Sequence, residues 1–255
     1  MSQLDLLLLC ATEGEAREIA AAIVDPETTG HAGKTTVRGQ LGRERCRLAY
    51  TGIGPVNAAH ALTCQLERHR PYLVIQVGIA GAYVPAGLPV GSVALASEEI
   101  YGDLGVLTPE GWQPADLIGI PVVAGDPPRF NRFALDPGLV GRATRVLAAG
   151  AEDRPVRSGP FLTLSQVTGV RSVGDTLFQR FGALCESMEG AAAAHVCALY
   201  DVPFLEVRGV SNLVEDRDRS PWQITAAAQA VQHAVLRLIA HLDEVMDAKA
   251  RGTRN

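Results

Sequence analysis

Glu13 and Glu15 stand directly after a short apolar run, residues 4–10, which is long enough for a buried strand and too short for a helix. Open α/β sheets bind ligands beyond the carboxyl ends of their strands, so either glutamate could act there as a general base that takes a proton from water. Acidic residues in the first turn of a helix are also favoured by the helix dipole alone, and position by itself favours that plainer role. Other chemistry-bearing types point less clearly to a site. The five cysteines, at 10, 46, 64, 185 and 197, form no CxxC pair and several lie in apolar runs, the pattern of reduced core thiols. The six histidines, at 31, 60, 69, 195, 233 and 241, show no metal-ligand spacing, so no metal and no other cofactor is expected.

The elements that must position these glutamates alternate between strand and helix. Residues 4–10 read as a strand and 13–23 as a helix; 46–51 read as a strand, 52–55 as a turn and 56–68 as a helix. A buried strand over 72–77 is expected to end in a tight turn, Gly78-Ile79-Ala80-Gly81, where backbone amides can approach a ligand closely. Further strands are expected at 92–96, 161–165 and 204–208, and helices at 139–149 and 190–200. Residues 101–137, rich in Pro and Gly, read as a long irregular excursion. Ser220 to Gln223 has capping-box spacing with Pro221 at the first helical position, and predicts an amphipathic helix running to about residue 249, followed by a frayed tail over 251–255. With no repeat, linker or break in composition, the expected fold is a single three-layer α/β domain over residues 1–250, its central sheet mixed but largely parallel and flanked by helices.

The formal net charge of −5 comes without a long run of like charges, which argues against a nucleic-acid partner. No apolar run approaches the roughly 20 residues a membrane helix needs, and the amino-terminal stretch has neither a basic opening nor a cleavage-like site. A soluble, cytoplasmic protein without a membrane partner is expected.

Six segments carry a family resemblance: ATEGE (11–15), TGIGPVNAA (51–59), VGIAGA (77–82), SGPFL (158–162), ESMEGAAAAHVC (186–197) and VRGVSN (207–212). In order and spacing they resemble the nucleosidase branch of the purine nucleoside phosphorylase superfamily. The resemblance implies a nucleoside phosphorylase-like fold, a small-molecule nucleoside substrate and a homo-oligomer. It also implies attack of water on the anomeric carbon through a transition state of oxocarbenium character, with donors meeting the charge that develops on the departing base. Glu15 matches the family's water-activating glutamate. Glu189 matches the residue that accepts hydrogen bonds from the ribose diol, with Met188 beside it. Ile79, Ala80 and Gly81 match the stretch next to the ribose. Phe161 matches an aromatic residue on the purine face, and the backbone of Leu162 would read the base edge. Trp222 matches an aromatic wall near the substituent at the ribose five-position. Ser211 and Asn212 match the step that recognises the base.

Two departures refine the reading. Phosphorylases of the superfamily need a cationic phosphate pocket, and the stretch 73–78 contains no arginine, so water is the better nucleophile. Adenine-specific nucleosidases carry an aspartate where this chain has Asn212; an amide donates to the carbonyl oxygen and adjacent nitrogen of a 6-oxopurine but cannot act as an acid. With SMEG, VRGVSN, the following EDRD and a tryptophan, the chain is similar to the futalosine hydrolase group, which implies release of hypoxanthine from futalosine, an inosine bearing a keto-linked benzoate, on a route to menaquinone. Arg17, Arg132, Arg171, Arg217 and Arg219 are candidate partners for that carboxylate, with nothing in the sequence to choose among them. Three other functions remain: a methylthioadenosine/adenosylhomocysteine nucleosidase, which should prefer an acid at 212, a 6-oxopurine nucleoside phosphorylase, which should require phosphate, and a nucleoside-binding protein without activity.

Overall fold

A strand covered on both faces needs apolar side chains at every position, and β1 (Leu6–Cys10) is buried throughout. In this computed structural model, which describes residues 5–151 and 154–246, β1 leads into a one-turn 3-10 segment, Glu13–Glu15, and a short helix α1 (Arg17–Ala21). The single helix expected over 13–23 is thus broken at Ala16, where the chain turns inward and buries Glu15. The polar stretch that follows is an antiparallel meander of β2 (Val24–His31), β3 (Lys34–Leu41) and β4 (Glu44–Tyr50). Helix α2 (Pro55–Arg68) opens on a proline at its first turn, a position where the missing N–H costs nothing.

The next strand, β5 (Leu73–Tyr83), does not stop at Gly78. Gly78-Ile79-Ala80-Gly81 is strand and not turn, because β12 pairs alongside it as far as Tyr83. Strand β6 (Val93–Tyr101) follows. The excursion that comes next holds a small hairpin, β7 (Gly105–Thr108) and β8 (Gly111–Pro114), and a short strand β9 (Arg132–Ala134) on the edge of β6. Then come α3 (Pro137–Ala148), β10 (Val156–Thr163), α4 (Arg171–Phe181), β11 (Cys185–Ser187), α5 (Gly190–Tyr200) and β12 (Phe204–Val214). Helices α6 (Ile224–Ala240) and α7 (Leu242–Val245) complete the described chain.

Ser220 does not cap α6. Its hydroxyl donates to Asp218 Oδ2 at 2.8 Å, and the helix begins only after Gln223, whose N–H donates to Ser211 O at 2.8 Å. The expected end of this helix, near 249, lies outside the described residues. Helix α6 packs tightly on β12 because Gly209 leaves room: a Cβ there would stand 2.2 Å from Ala227 O.

The strands form one large sheet in the order β11-β10-β6-β12-β5-β1-β4-β3-β2. It is mixed and not largely parallel: five pairings are parallel (β1–β4, β1–β5, β5–β12, β6–β10, β10–β11) and five antiparallel (β2–β3, β3–β4, β5–β11, β6–β9, β6–β12). Strand β11 bonds to both β10 and β5, so β5, β12, β6, β10 and β11 close into a ring. That closure brings the ends of β5, β11 and β12 to one place. The main apolar core runs from Leu6 to Met246.

Candidate active site

A cavity of about 460 Å³ opens beyond the carboxyl end of β1 and over the later halves of β5, β11 and β12. Glu15 lies in its floor. Its Oε2 accepts from Thr12 N at 3.0 Å and Thr12 Oγ1 at 2.9 Å, and its Oε1 accepts from Ile79 N at 3.0 Å. The capping box made with Thr12 therefore orients one oxygen, and the β5 backbone orients the other toward the cavity.

Beside Glu15 lies Arg208, a fully buried guanidinium that the sequence reading did not single out. It donates from Nε to Glu206 Oε1 at 2.7 Å, from Nη1 to Ile79 O at 3.2 Å and from Nη2 to Glu189 Oε2 at 3.2 Å. Burial acts to lower its pKa, but the charges of Glu206, Glu189 and Glu15 outweigh it and raise the value, holding the cation. Two charged residues at i, i+2 in an otherwise apolar strand, Glu206 and Arg208, were the available signal: such a pair shares one face and is buried only if paired.

Glu189 stands at the N-cap position of α5, but its side chain makes no cap bond to the helix; its Oε1 instead accepts from Gly54 N at 2.9 Å. With Arg208 on Oε2, each carboxylate oxygen keeps lone-pair capacity for a ligand hydroxyl. Met188, half-buried, and Ile79, Ala80 and Gly81 line the cavity beside it.

Asn212 and Ser211 come from the end of β12. The Ser211 hydroxyl lies 2.8 Å from Asn212 Oδ1 and 3.2 Å from Ala80 O, and Asn212 Nδ2 donates to Leu213 O at 3.0 Å. One amide hydrogen of Asn212 stays free for the cavity. Gly81 is its directly paired neighbour, and a Cβ there would meet Asn212 Nδ2 at 3.1 Å.

The other neighbour of Gly81 is Glu186, the first residue of the 186–197 segment, to which the sequence reading gave no role of its own. Its Oε1 accepts from Thr168 N at 2.8 Å, and its Oε2 accepts from Thr168 Oγ1 at 2.7 Å and Tyr83 Oη at 2.9 Å. Burial pushes its pKa up, against the lowering effect of these donors. Directly paired residues point to the same face, so Glu186 and Asn212 flank the gap that Gly81 leaves.

Phe161 and Leu162 do not line the cavity. Both are fully buried in β10, Phe161 in the main core and Leu162 against Tyr83, Ile100 and Val214. Val167 and Thr168, from the loop after β10, line the cavity. Trp222 lines the mouth, with the guanidiniums of Arg217 and Arg219 at 5.2 and 5.4 Å from its ring centre. Of the five candidate arginines, Arg132 is paired with Glu98 and Arg171 with Asp175, whereas Arg17 and Arg217 line the cavity and form no ion pair among the described residues. No helix among the described residues is long and apolar enough to cross a membrane.

Residues 5–247 match the phosphorylase superfamily. The chain is 39% identical over 191 residues to the futalosine hydrolase of Thermus thermophilus, covering 74% of this chain and 79% of that one. It is 35% identical over 240 residues to the futalosine hydrolase of Streptomyces coelicolor, covering 91% and 94%. Its fold resembles that of the 5'-methylthioadenosine/S-adenosylhomocysteine nucleosidase of Colwellia psychrerythraea, solved with adenine, at a TM-score of 0.81 and 23% identity over 94% of this chain and 96% of that one. The chain belongs to the phosphorylase superfamily, and within it to the N-glycosidic hydrolases of the futalosine hydrolase group.

Proposed function

We propose that the protein cleaves the N-glycosidic bond of futalosine with water, releasing hypoxanthine, without phosphate, metal or cofactor. The observation that carries this reading is the placement of Glu15, Glu189 and Asn212 along one cavity, joined by Arg208 and by the open backbone of Gly78 and Gly81. In this assignment Glu15 takes a proton from the attacking water, Glu189 accepts from the ribose diol, and the free amide hydrogen of Asn212 meets the charge developing on the purine. Glu186, across Gly81, offers an acceptor to the ring N–H that a 6-oxopurine carries and adenine lacks.

The sequence reading favoured water over phosphate because residues 73–78 hold no arginine, yet Arg208 reaches Gly78 from the neighbouring strand. Hydrolysis is still favoured, for a different reason. That one guanidinium already serves Glu206 and Glu189 and lies within electrostatic reach of Glu15, so its charge is already met by carboxylates and it is not free to hold a phosphate dianion.

At the mouth, Trp222 faces the five-position substituent, and Arg17 and Arg217 are the candidate partners of its carboxylate. Ile53, 61% exposed although it lines the cavity, and Val56, three residues on and 80% exposed, are apolar surface that a second copy of the chain would cover in a cytoplasmic homo-oligomer.

The test is chromatography of products after incubation with futalosine, inosine and methylthioadenosine, each with and without phosphate. The expected result is hypoxanthine from futalosine in either condition and much slower release of adenine. A second reading, methylthioadenosine/adenosylhomocysteine nucleosidase, rests on the likeness of fold and is opposed by Asn212; equal or faster release of adenine would establish it.

A further inference from the structure

Beneath the cavity floor lie two more glutamates that no step of hydrolysis uses. Glu99, on β6, and Glu206, on β12, are both 0% exposed. Each has one oxygen with a clear partner: Glu99 Oε2 accepts from Thr163 Oγ1 at 2.8 Å, and Glu206 Oε1 accepts from Arg208 Nε at 2.7 Å. The remaining two oxygens, Glu99 Oε1 and Glu206 Oε2, have no hydrogen-bond donor among the described residues. They are also the two oxygens that converge on one point above Gly190, where a Cβ would lie 2.5 Å from the first and 2.3 Å from the second.

Two buried carboxylates facing each other repel strongly in a low-dielectric interior, and two acceptors cannot satisfy one another. One proton between them removes both difficulties, since a neutral carboxyl donates and a carboxylate accepts. Gln76, the paired neighbour of Glu206 on β5, does not fill this role, as its amide makes no hydrogen bond among the described residues either. The geometry distinguishes the two: Arg208 Nε sits 2.7 Å from Glu206 and favours a charge there, whereas Glu99 has only the neutral Thr163 hydroxyl beside it and is the member that keeps the proton, in line with the upward push that burial and then Glu206 give its carboxyl.

We propose that Glu99 and Glu206 hold one proton between them, Glu99 as the neutral acid and Glu206 as the carboxylate, and that this pair is the positioning device that fixes Arg208 and, through it, Glu189. The connections close into a circuit. Ala191 N, in the first turn of α5, donates to Thr163 Oγ1 at 2.7 Å, and Thr163 donates to Glu99. Glu99 donates through the shared proton to Glu206, Glu206 accepts from Arg208, and Arg208 donates to Glu189, the residue that immediately precedes the same turn of α5. The ribose-binding carboxylate is thereby held from both sides of one helix turn. The shared proton also leaves the buried pair with a single negative charge beside the single charge of Arg208.

The test has two arms on the full-length protein. In the infrared difference spectrum of wild type minus Glu99→Gln near neutral pH, the carbonyl stretch of a buried neutral carboxylic acid should belong to the wild type and vanish in the variant. Loss of carboxylate bands instead, or no difference, overturns the assignment. This arm needs no substrate, so it stands apart from the futalosine reading. The second arm rests on the hydrolase reading and is scored on whichever nucleoside the wild type cleaves. Glu99→Leu, which leaves Glu206 Oε2 without a donor, should lower kcat/KM by roughly 10- to 100-fold. Glu99→Gln, whose amide can donate to Glu206, should recover most of that loss. Equal loss in both variants, or none in Glu99→Leu, removes the positioning role.

Discussion

The guanidinium of Arg208 lies against Gly78, its paired neighbour across β12 and β5, so closely that a Cβ on Gly78 would stand 2.3 Å from Arg208 Nη1 and 2.8 Å from Glu15 Oε1. A missing side chain thus lets a cation and a carboxylate meet on the surface of one strand. Arg208 is held at three nitrogens and cannot retreat.

Gly78→Ala should therefore displace both groups. The expected outcome is a loss of about 1–3 kcal/mol of stability, as for overpacking in a filled core, and a fall of at least about tenfold in kcat/KM. Denaturant midpoints and steady-state kinetics measure the two effects; wild-type kinetics would mean that the crowding at Gly78 has no bearing on turnover.

Glu15→Gln keeps the shape of the side chain and removes its basicity. Substrate should still bind while turnover falls by a factor on the order of 100 or more. Pre-steady-state binding and kcat separate the two, and undiminished kcat excludes Glu15 as the base.

Asn212→Asp replaces an amide donor with a carboxylate that, when ionised, opposes the departing anion. Hypoxanthine release should drop by about 100-fold, corresponding to about 3 kcal/mol of lost transition-state stabilisation. The ratio of kcat/KM on futalosine to that on its 6-amino analogue should move toward the amino substrate. An unchanged ratio means that Asn212 does not read the base.

Arg217→Gln removes a guanidinium from the cavity mouth. A charge-assisted hydrogen bond to a substrate carboxylate should then be lost, lowering kcat/KM on futalosine by about tenfold or more while inosine, which has no such carboxylate, is cleaved as before. A parallel loss on inosine would place Arg217 elsewhere in the reaction.

Glu99 also links stability to pH. Its folded-state pKa is raised above the ordinary value of 4.5, chiefly by burial and next by Glu206. The folded state therefore holds a proton that the unfolded chain releases, and the stability this contributes is full below about pH 4.5 and is lost as pH rises through the raised value. Glu206 and Arg208 from β12, Cys185 from β11 and Tyr101 on its own strand interact with it electrostatically. Denaturant midpoints measured against pH should fall more steeply with alkalinity in wild type than in Glu99→Gln, and parallel curves would refute the linkage.

Much of this molecule was legible without a fold. The apolar run before Glu13 dictates a buried strand, the alanine-rich stretch after Glu189 dictates a helix that spans 190–200 as expected, and Pro55 marks where α2 begins, because burial pattern and cap chemistry act within a few residues. The same local signals set glutamates at the end of β1 and the start of α5, where a ligand site was expected. Tertiary structure alone decided which distant residues meet. Local signals did not show that Arg208 lies on Gly78, that Glu186 and Asn212 flank Gly81, or that Gly78 to Gly81 continue a strand, since each depends on pairing with segments far along the chain. Nor did they show that Phe161 and Leu162 sink into the two cores while Val167 and Thr168 line the cavity. The physical reason is that neighbouring side chains on a strand point to opposite faces, so a shift of one residue in register exchanges site for core, and register is set by the whole sheet closing on itself rather than by any segment within it.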